Sequence, residues 1–362
     1  MGRCGDFAAA HLHISRAIAL APQSPQAHSV LASLLLHQHQ WPEAIEAARA
    51  VVALTPGDPV AHLLLADVLL RCGDWREGWD ELEWRLALFA GNPRGIAHAL
   101  RWRGEEIKSS TLLVHAPDGA GDAIMFVRYL PALAARCAKL IFATDARLHS
   151  LLAQLPAQMA NDTGPLPAFD RFADRLSLPR FFATTPQTVP FADGYLRADT
   201  QQTAIWAQSL PRGPKIGLVW ATDARHPGHR QRSIPAAAMA PLIQSQDFHF
   251  VNLQVGTANS QGDLIGLRAN PAATITDYAA TVAIMENLAL VITVDTAAAH
   301  LAGALNIPVW LLLAPMAEWR WQQDTDSSPW YRSMRLFRRL PDEPDWRGTI
   351  ARVTASLANF MR

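Results

Sequence analysis

The chain has few cysteines, no long apolar run and no net charge, and each of these lacks narrows what it can be. Its three cysteines, Cys4, Cys72 and Cys137, are odd in number and far apart. That spacing fits neither a disulfide framework nor a zinc site, so small buried hydrophobes are the expected role. The densest apolar stretch, Pro308 to Ala314, is far too short to cross a bilayer. The opening residues MGRCGDFAAAHLH lack the apolar heart of a secretion signal. A cytoplasmic protein without a transmembrane segment is expected. A formal charge of zero argues against non-specific nucleic-acid binding, which rests on neutralising many phosphates. No Walker-type phosphate loop, His-Glu-x-x-His helix or nucleophile elbow is present. What the chain does have is apolar substance. Half of its 362 residues are hydrophobic and 18% are charged, enough for two or three cores and too apolar for general disorder.

The first 88 residues repeat with a period of 34. Leu20, Pro22 and Pro25 recur as Leu54, Pro56 and Pro59. Ala27, His28, Leu31 and Ala32 recur as Ala61, His62, Leu65 and Ala66, and Trp41 and Glu43 as Trp75 and Glu77. Between the prolines the apolar residues fall at helical spacing, which predicts helices at about 8–20, 26–38, 42–54, 59–71 and 75–88. Thirty-four residues hold two antiparallel helices and their turns, and the pattern resembles the tetratricopeptide repeat. On this reading the chain starts in the second helix of a unit and carries about two and a half repeats. Such an array packs and spaces, or presents a concave surface to a peptide partner.

From about residue 110 strands and helices alternate. TLLVHA (Thr111–Ala116) and KLIFAT (Lys139–Thr144) read as strands, with helices near 122–136 and 146–155. Residues 156–200 are proline-rich and predict short elements and a crossover. The pattern then restarts. KIGLVW (215–220), FHFVNLQ (248–254), LVITV (290–294) and PVWLLL (308–313) read as strands. Helices are expected at 235–245, 278–287, 296–305 and 346–361. Continuous apolar strands between helices mean parallel sheets covered on both faces. The expected fold is therefore α/β with an N-terminal all-α repeat: two Rossmann-like domains facing across a cleft. The expected bounds are 1–90 for the repeats, 91–205 and 206–345 for the two α/β domains, and 346–362 for a closing helix. Ligands in such sheets bind beyond the carboxyl ends of the strands.

Three features sit at those ends. The first is Asp118-Gly119-Ala120-Gly121-Asp122-Ala123-Ile124. Gly119 and Gly121 permit a tight turn and close approach to a ligand. Ile124 stands where a dinucleotide fingerprint needs its third glycine, and Asp122 would repel a pyrophosphate, which disfavours a nucleotide-dependent oxidoreductase. Asp122 itself is either a helix cap or a general base facing the cleft. The second is Asp295-Thr296-Ala297-Ala298-Ala299-His300. There, exposed N–H groups and the helix dipole suit a diphosphate, and the Thr296 hydroxyl adds a donor. The bland alternatives are Asp295 as a cap and His300 as a buried, satisfied histidine. The third is the basic loop Arg225-His226-Pro227-Gly228-His229-Arg230-Gln231-Arg232, which can neutralise a departing diphosphate without a metal or else lie solvated. Gln254 ends its strand at the same edge and joins the substrate-binding set. Asp324-Thr325-Asp326 invites a metal reading but precedes Ser-Ser-Pro; a turn is expected there, and neither metal nor cofactor is assigned.

With these residues placed, the chain resembles bacterial proteins that join tetratricopeptide repeats to a domain similar to glycosyltransferase family 9, the heptosyltransferase family. The likeness runs from about Gly78 to Phe337. It rests on Gly78-Trp79 with Glu83-Trp84-Arg85, on Gly119-x-Gly121-Asp122, and on Arg128-Tyr129-Leu130-Pro131. Farther on it rests on Arg232-Ser233-Ile234-Pro235, on Asp295-Thr296 with His300-Leu301-Ala302-Gly303, and on Ser328-Pro329-Trp330-Tyr331. The resemblance implies a GT-B fold with the nucleotide-sugar donor mostly on the second half. It makes Asp122 the base that deprotonates an acceptor hydroxyl and Arg232 the phosphate-binding cation. It gives the diphosphate to Thr296, Ala297 and the adjacent N–H groups, with His300 in support. The expected partners are a nucleotide-diphosphate sugar and a glycan or protein acceptor. Pro117 and Ala123 replace polar residues common in that group, and Ala280 and Ala289 stand where aspartates are usual. A non-catalytic interaction protein with a degenerate GT-B domain is the competing expectation.

Overall fold

The computed structural model describes residues 7–88, 96, 98–117, 119–245, 247–267 and 269–360. Cys4, Asp118, the expected boundary at 90/91 and the end of the closing helix at Met361 lie outside the described residues. The chain forms two compact units, the first comprising Met1–Ala99, Pro179–Thr188 and Met316–Asp324, the second Leu100–Leu178, Val189–Pro315 and Thr325–Arg362.

In the first unit the helices are α1 (Phe7–Leu20), α2 (Pro25–His37), α3 (Trp41–Leu54), α4 (Pro59–Cys72), α5 (Trp75–Leu82) and α6 (Arg85–Leu88). The repeated residues explain the repeated geometry. Ser24 and Asp58, one period apart, cap α2 and α4 by accepting from Ala27 N and Val60 N. Each cap is followed by a proline at the first helical position, where its missing N–H costs nothing. His28 and His62 each bring Nε2 to 3.0 Å from a carbonyl, that of Pro22 and of Pro56. The same turn is thereby tied down twice. Ala32 and Ala66 are fully buried, and Ala32 joins Leu35, Leu36, Ala44, Ala48, Leu65 and Leu69 in one core. Gly73 ends α4 in the left-handed region at φ 88°, a conformation that glycine adopts without strain.

Two expectations for this unit are corrected. The continuous helix over 75–88 is interrupted at Glu83–Trp84. The Trp84 ring stacks on His62 with centroids 3.8 Å apart, and Arg85 Nη1 turns back to the Leu82 carbonyl and the Glu83 carboxylate. Cys72 is exposed at the end of α4, whereas Cys137 is buried as expected. Asp324 does lie in a turn, at φ 54°; its carboxylate accepts from Trp41 Nε1 and contacts His39 Nδ1.

The second unit holds two parallel sheets. In chain order its elements begin with β1 (Ile107–His115), α7 (Ala120–Phe126), α8 (Leu130–Ala134), β2 (Cys137–Thr144), α9 (His149–Leu152), β3 (Gln158–Asn161) and β4 (Arg171–Asp174). The short α10 (Leu178–Phe181) carries the chain into residues of the first unit. Then come α11 (Thr200–Ser209), β5 (Lys215–Val219), α12 (His229–Arg232), α13 (Ala240–Ile243), β6 (His249–Asn252), α14 (Gln261–Leu264) and α15 (Tyr278–Met285). The last are β7 (Leu290–Val294), α16 (Ala297–Ala304), β8 (Val309–Leu313), β9 (Met334–Arg338) and α17 (Arg347–Leu357). The strand orders are β3-β2-β1-β4 and β6-β5-β7-β8-β9, with every pairing parallel.

Every residue of β7 and β8 is buried, as an apolar run between two helical layers requires. Ile216, Leu218, Ile292, Val294 and Leu312 form one core with Ile350, Val353 and Leu357 of α17. Strands β3, β4 and β9 were not expected. The helix expected over 122–136 breaks into α7, a 3-10 turn at Val127–Tyr129 and α8, where Pro131 sits at the start. The one expected over 235–245 reduces to a 3-10 turn and the four-residue α13, again opened by a proline.

Candidate functional site

The site is built where α7 meets α16. Gly119 holds the cap position of α7 at φ 72°. Asp122 is then the third helical residue, so the cap reading of Asp122 is corrected: it lies within the first turn, and Gly119 holds the cap position. Its carboxylate instead meets Arg175, just beyond β4, with Nη2 3.2 Å from Oδ2. The Asp122 side chain is 24% exposed and that of Arg175 only 9%, so the carboxylate opens to solvent while its partner is buried behind it.

Gly121 is the point of contact between the halves. A Cβ there would stand 2.8 Å from His300 Cδ2 and 3.6 Å from Ala297 Cα. The close approach that this glycine permits is thus to the first turn of α16. Asp122, the next residue, is brought beside the start of that helix.

At the start of α16 the cap residue is Thr296, not Asp295. Thr296 has extended backbone and caps with no side-chain hydrogen bond; its hydroxyl lies 3.3 Å from that of Thr293. Asp295 is buried and faces Arg232, with Oδ2 3.3 Å from Nη1. This pair ties the basic loop to the helix start. Arg232 is 20% exposed, while Arg225, nearer the loop tip, is 91% exposed and folds onto its neighbour Asp223. The loop is therefore part solvated and part docked. Thr296, Ala297 and Ala298 are half-buried, so the helix start, with its partial positive charge, is partly open, and Arg232 pairs with the residue just before it.

His300 is 4% exposed, and its Nδ1 lies 2.9 Å from the Tyr331 hydroxyl. That is the buried, satisfied histidine of the bland alternative. Gln254 is corrected too. Its Oε1 accepts from Trp220 N and Ala221 N, and its Nε2 donates to the carbonyls of Ala221 and Val255. With both ends of the amide bound to backbone and the residue buried, it shapes the strand end and faces no ligand.

A second cluster joins the halves beneath the site. Arg128 is 1% exposed. It donates to the carbonyls of Met125 and Trp330 at 2.8 and 2.9 Å, and to the Tyr195 hydroxyl and the Pro190 carbonyl at 3.3 Å. The faces of Tyr195, Tyr331 and Trp330 surround it at 4.7, 4.9 and 5.3 Å. The Tyr195 hydroxyl donates to Ile124 O at 2.8 Å, and Tyr331 reaches His300. Burial disfavours the charge on this guanidinium, but the surrounding tyrosines outweigh it and its pKa is raised. Arg128, Trp330 and Tyr331 stood in the sequence as matching residues without a role. Arg175 was not singled out at all; only its place after a strand could have marked it.

Two parallel sheets facing across a cleft, with charged groups at the strand ends, define the GT-B type of fold, here following helical repeats. Residues 5–67 match the family model of the tetratricopeptide repeat. The chain is 25% identical over 306 residues to Protein FlbA of Caulobacter vibrioides, a match that covers 74% of this chain and 50% of that protein. It thus spans about half the length of the curated relative it matches. Among solved structures, the ADP-heptose lps heptosyltransferase II of E. coli aligns with a TM-score of 0.50 at 15% identity, over 69% of this chain and 98% of that one. A family 9 glycosyltransferase from Veillonella parvula aligns with a TM-score of 0.53 at 11% identity, over 71% and 99%. The α/β part has the fold of these glycosyltransferases. None of the described helices is long and apolar enough to cross a membrane.

Proposed function

We propose that the protein is a metal-independent glycosyltransferase that moves a sugar from a nucleotide-diphosphate donor to a glycan or protein acceptor. The observation that carries this reading is the contact of Gly121 with Ala297 and His300, which sets a carboxylate beside a positively polarised helix start. Asp122 takes the proton from the acceptor hydroxyl as that oxygen attacks the anomeric carbon. The bond from that carbon to the diphosphate breaks, and the leaving charge falls on the N–H groups of Ala297 and Ala298, the Thr296 hydroxyl and Arg232. Gly119 shapes the turn that presents Asp122. The repeats are suited to holding an extended acceptor chain or a separate peptide partner.

A scaffold without catalysis is the second reading. One observation favours it: Asp122 and Arg232 are both already paired inside the protein, with Arg175 and Asp295. Thermal unfolding of the full chain with ADP, UDP, GDP, CDP and TDP distinguishes the two. ADP leads because a heptosyltransferase of this fold is named for ADP-heptose. A transferase is stabilised by one base above the rest, by about 2.7 kcal/mol when the ligand is at about a hundred times its Kd. Indifference to all five contradicts the proposal.

A further inference from the structure

His226 lies in the loop between β5 and α12 and has no place in the scheme above. A Cβ on Gly228 would stand 3.3 Å from the His226 ring and 3.3 Å from Arg232 Nε, so imidazole and guanidinium flank one small gap. Arg232 reaches on to Asp295, next to the cap residue of α16. The exposed imidazole therefore borders the space in front of the helix start. Its tautomer is fixed. The Gly228 N–H donates to Nδ1 at 2.9 Å, which leaves the neutral ring's proton on Nε2 as an outward donor.

We infer that His226 is a further diphosphate-binding residue, one that takes up a proton as the anion binds. The inference rests on the nucleotide reading above. In the free protein the charged imidazole is disfavoured. Partial burial and the adjacent Arg232 lower its pKa, His229 adds to the lowering, and Asp295 and Asp223 oppose it. Protonation would also end the Gly228 bond, since Nδ1 would no longer accept. A diphosphate in front of the pair reverses this balance. It draws both cations together, where before they repelled each other. The pKa of the bound state then exceeds that of the free state. Between the two values binding takes up protons, and affinity rises as pH falls through that window.

The test is titration calorimetry on the full chain with ADP, UDP, GDP, CDP and TDP in buffers of different ionisation enthalpy. Wild type, His226→Gln and Arg230→Gln are compared, the last removing an exposed charge from the same turn. The wild type and Arg230→Gln are expected to take up more protons at pH 7 than His226→Gln. The advantage of the wild type over His226→Gln should grow as pH falls from 8 to 6, towards the limit of about tenfold that one pKa unit of difference sets. Protonation of the diphosphate itself is common to all three proteins and cancels in the comparison. Binding with equal proton counts in wild type and His226→Gln overturns the inference and leaves the nucleotide reading standing. Failure of the wild type to bind any of the five overturns both.

Discussion

Asp122→Asn is expected to lower turnover by about 10²–10⁴-fold while nucleoside-diphosphate affinity changes by less than about threefold. The amide keeps the shape of the carboxylate and its place beside α16, but it cannot take a proton. The residues proposed to bind the diphosphate, Thr296, Ala297 and Arg232, are untouched, so binding and chemistry should separate. Arg175 loses the charge of its partner in this variant. Its buried guanidinium then makes some loss of stability certain, and the unfolding midpoint must be measured beside the rate. Turnover is followed as release of the nucleoside diphosphate from the matching sugar donor. A variant that keeps wild-type turnover removes Asp122 from the role of base. One that loses rate and nucleotide binding together points to a damaged site.

Arg128→Met should be the most destabilising of the substitutions discussed, by roughly 3–5 kcal/mol. The methionine fills much of the volume but leaves the carbonyls of Met125, Pro190 and Trp330 and the Tyr195 hydroxyl without their shared donor. Each buried acceptor so stranded costs about 1–3 kcal/mol before relaxation. Three aromatic faces also lose the cation they surround. Arg128 ties the turn after α7 to the crossover and to the segment before β9, so its loss loosens both halves at once. Denaturant unfolding monitored by tryptophan fluorescence reads this directly, since Trp330 lies against the guanidinium. A loss below about 1 kcal/mol would mean that the cluster does not hold the halves together.

The sequence made the repeats legible because their period is physical. Ser24 and Asp58 cap, and His28 and His62 bind a carbonyl, each pair at one position of the 34-residue unit. Strands such as LVITV were legible because burial on both faces leaves a nearly continuous apolar run with no charge in it. The short strands QMAN and RFAD were not, for four residues that mix apolar with polar or charged side chains carry no period. In β9, MRLFR, the two arginines masked a buried strand in the same way. The site was partly legible. Arg232 and Asp295 do pair beside the cap residue Thr296, and Gly121, next to Asp122, packs on the first turn of that helix. What the pattern cannot give is the direction of a side chain. Gln254 turns into the backbone, not outward. Asp122 changes from cap to third helical residue when the helix starts two positions earlier than expected. Its partner Arg175 lies 53 residues away, beyond any local signal.

The most direct measurement is a crystal structure of the full chain with the nucleoside diphosphate that stabilises it best. The proposed function places the two phosphates within hydrogen-bond distance of the Ala297 and Ala298 N–H groups and of Arg232, with the Asp122 carboxylate facing the terminal phosphate across open space. Phosphates bound away from the start of α16, or an Asp122 still closed onto Arg175 and screened from them, would contradict it.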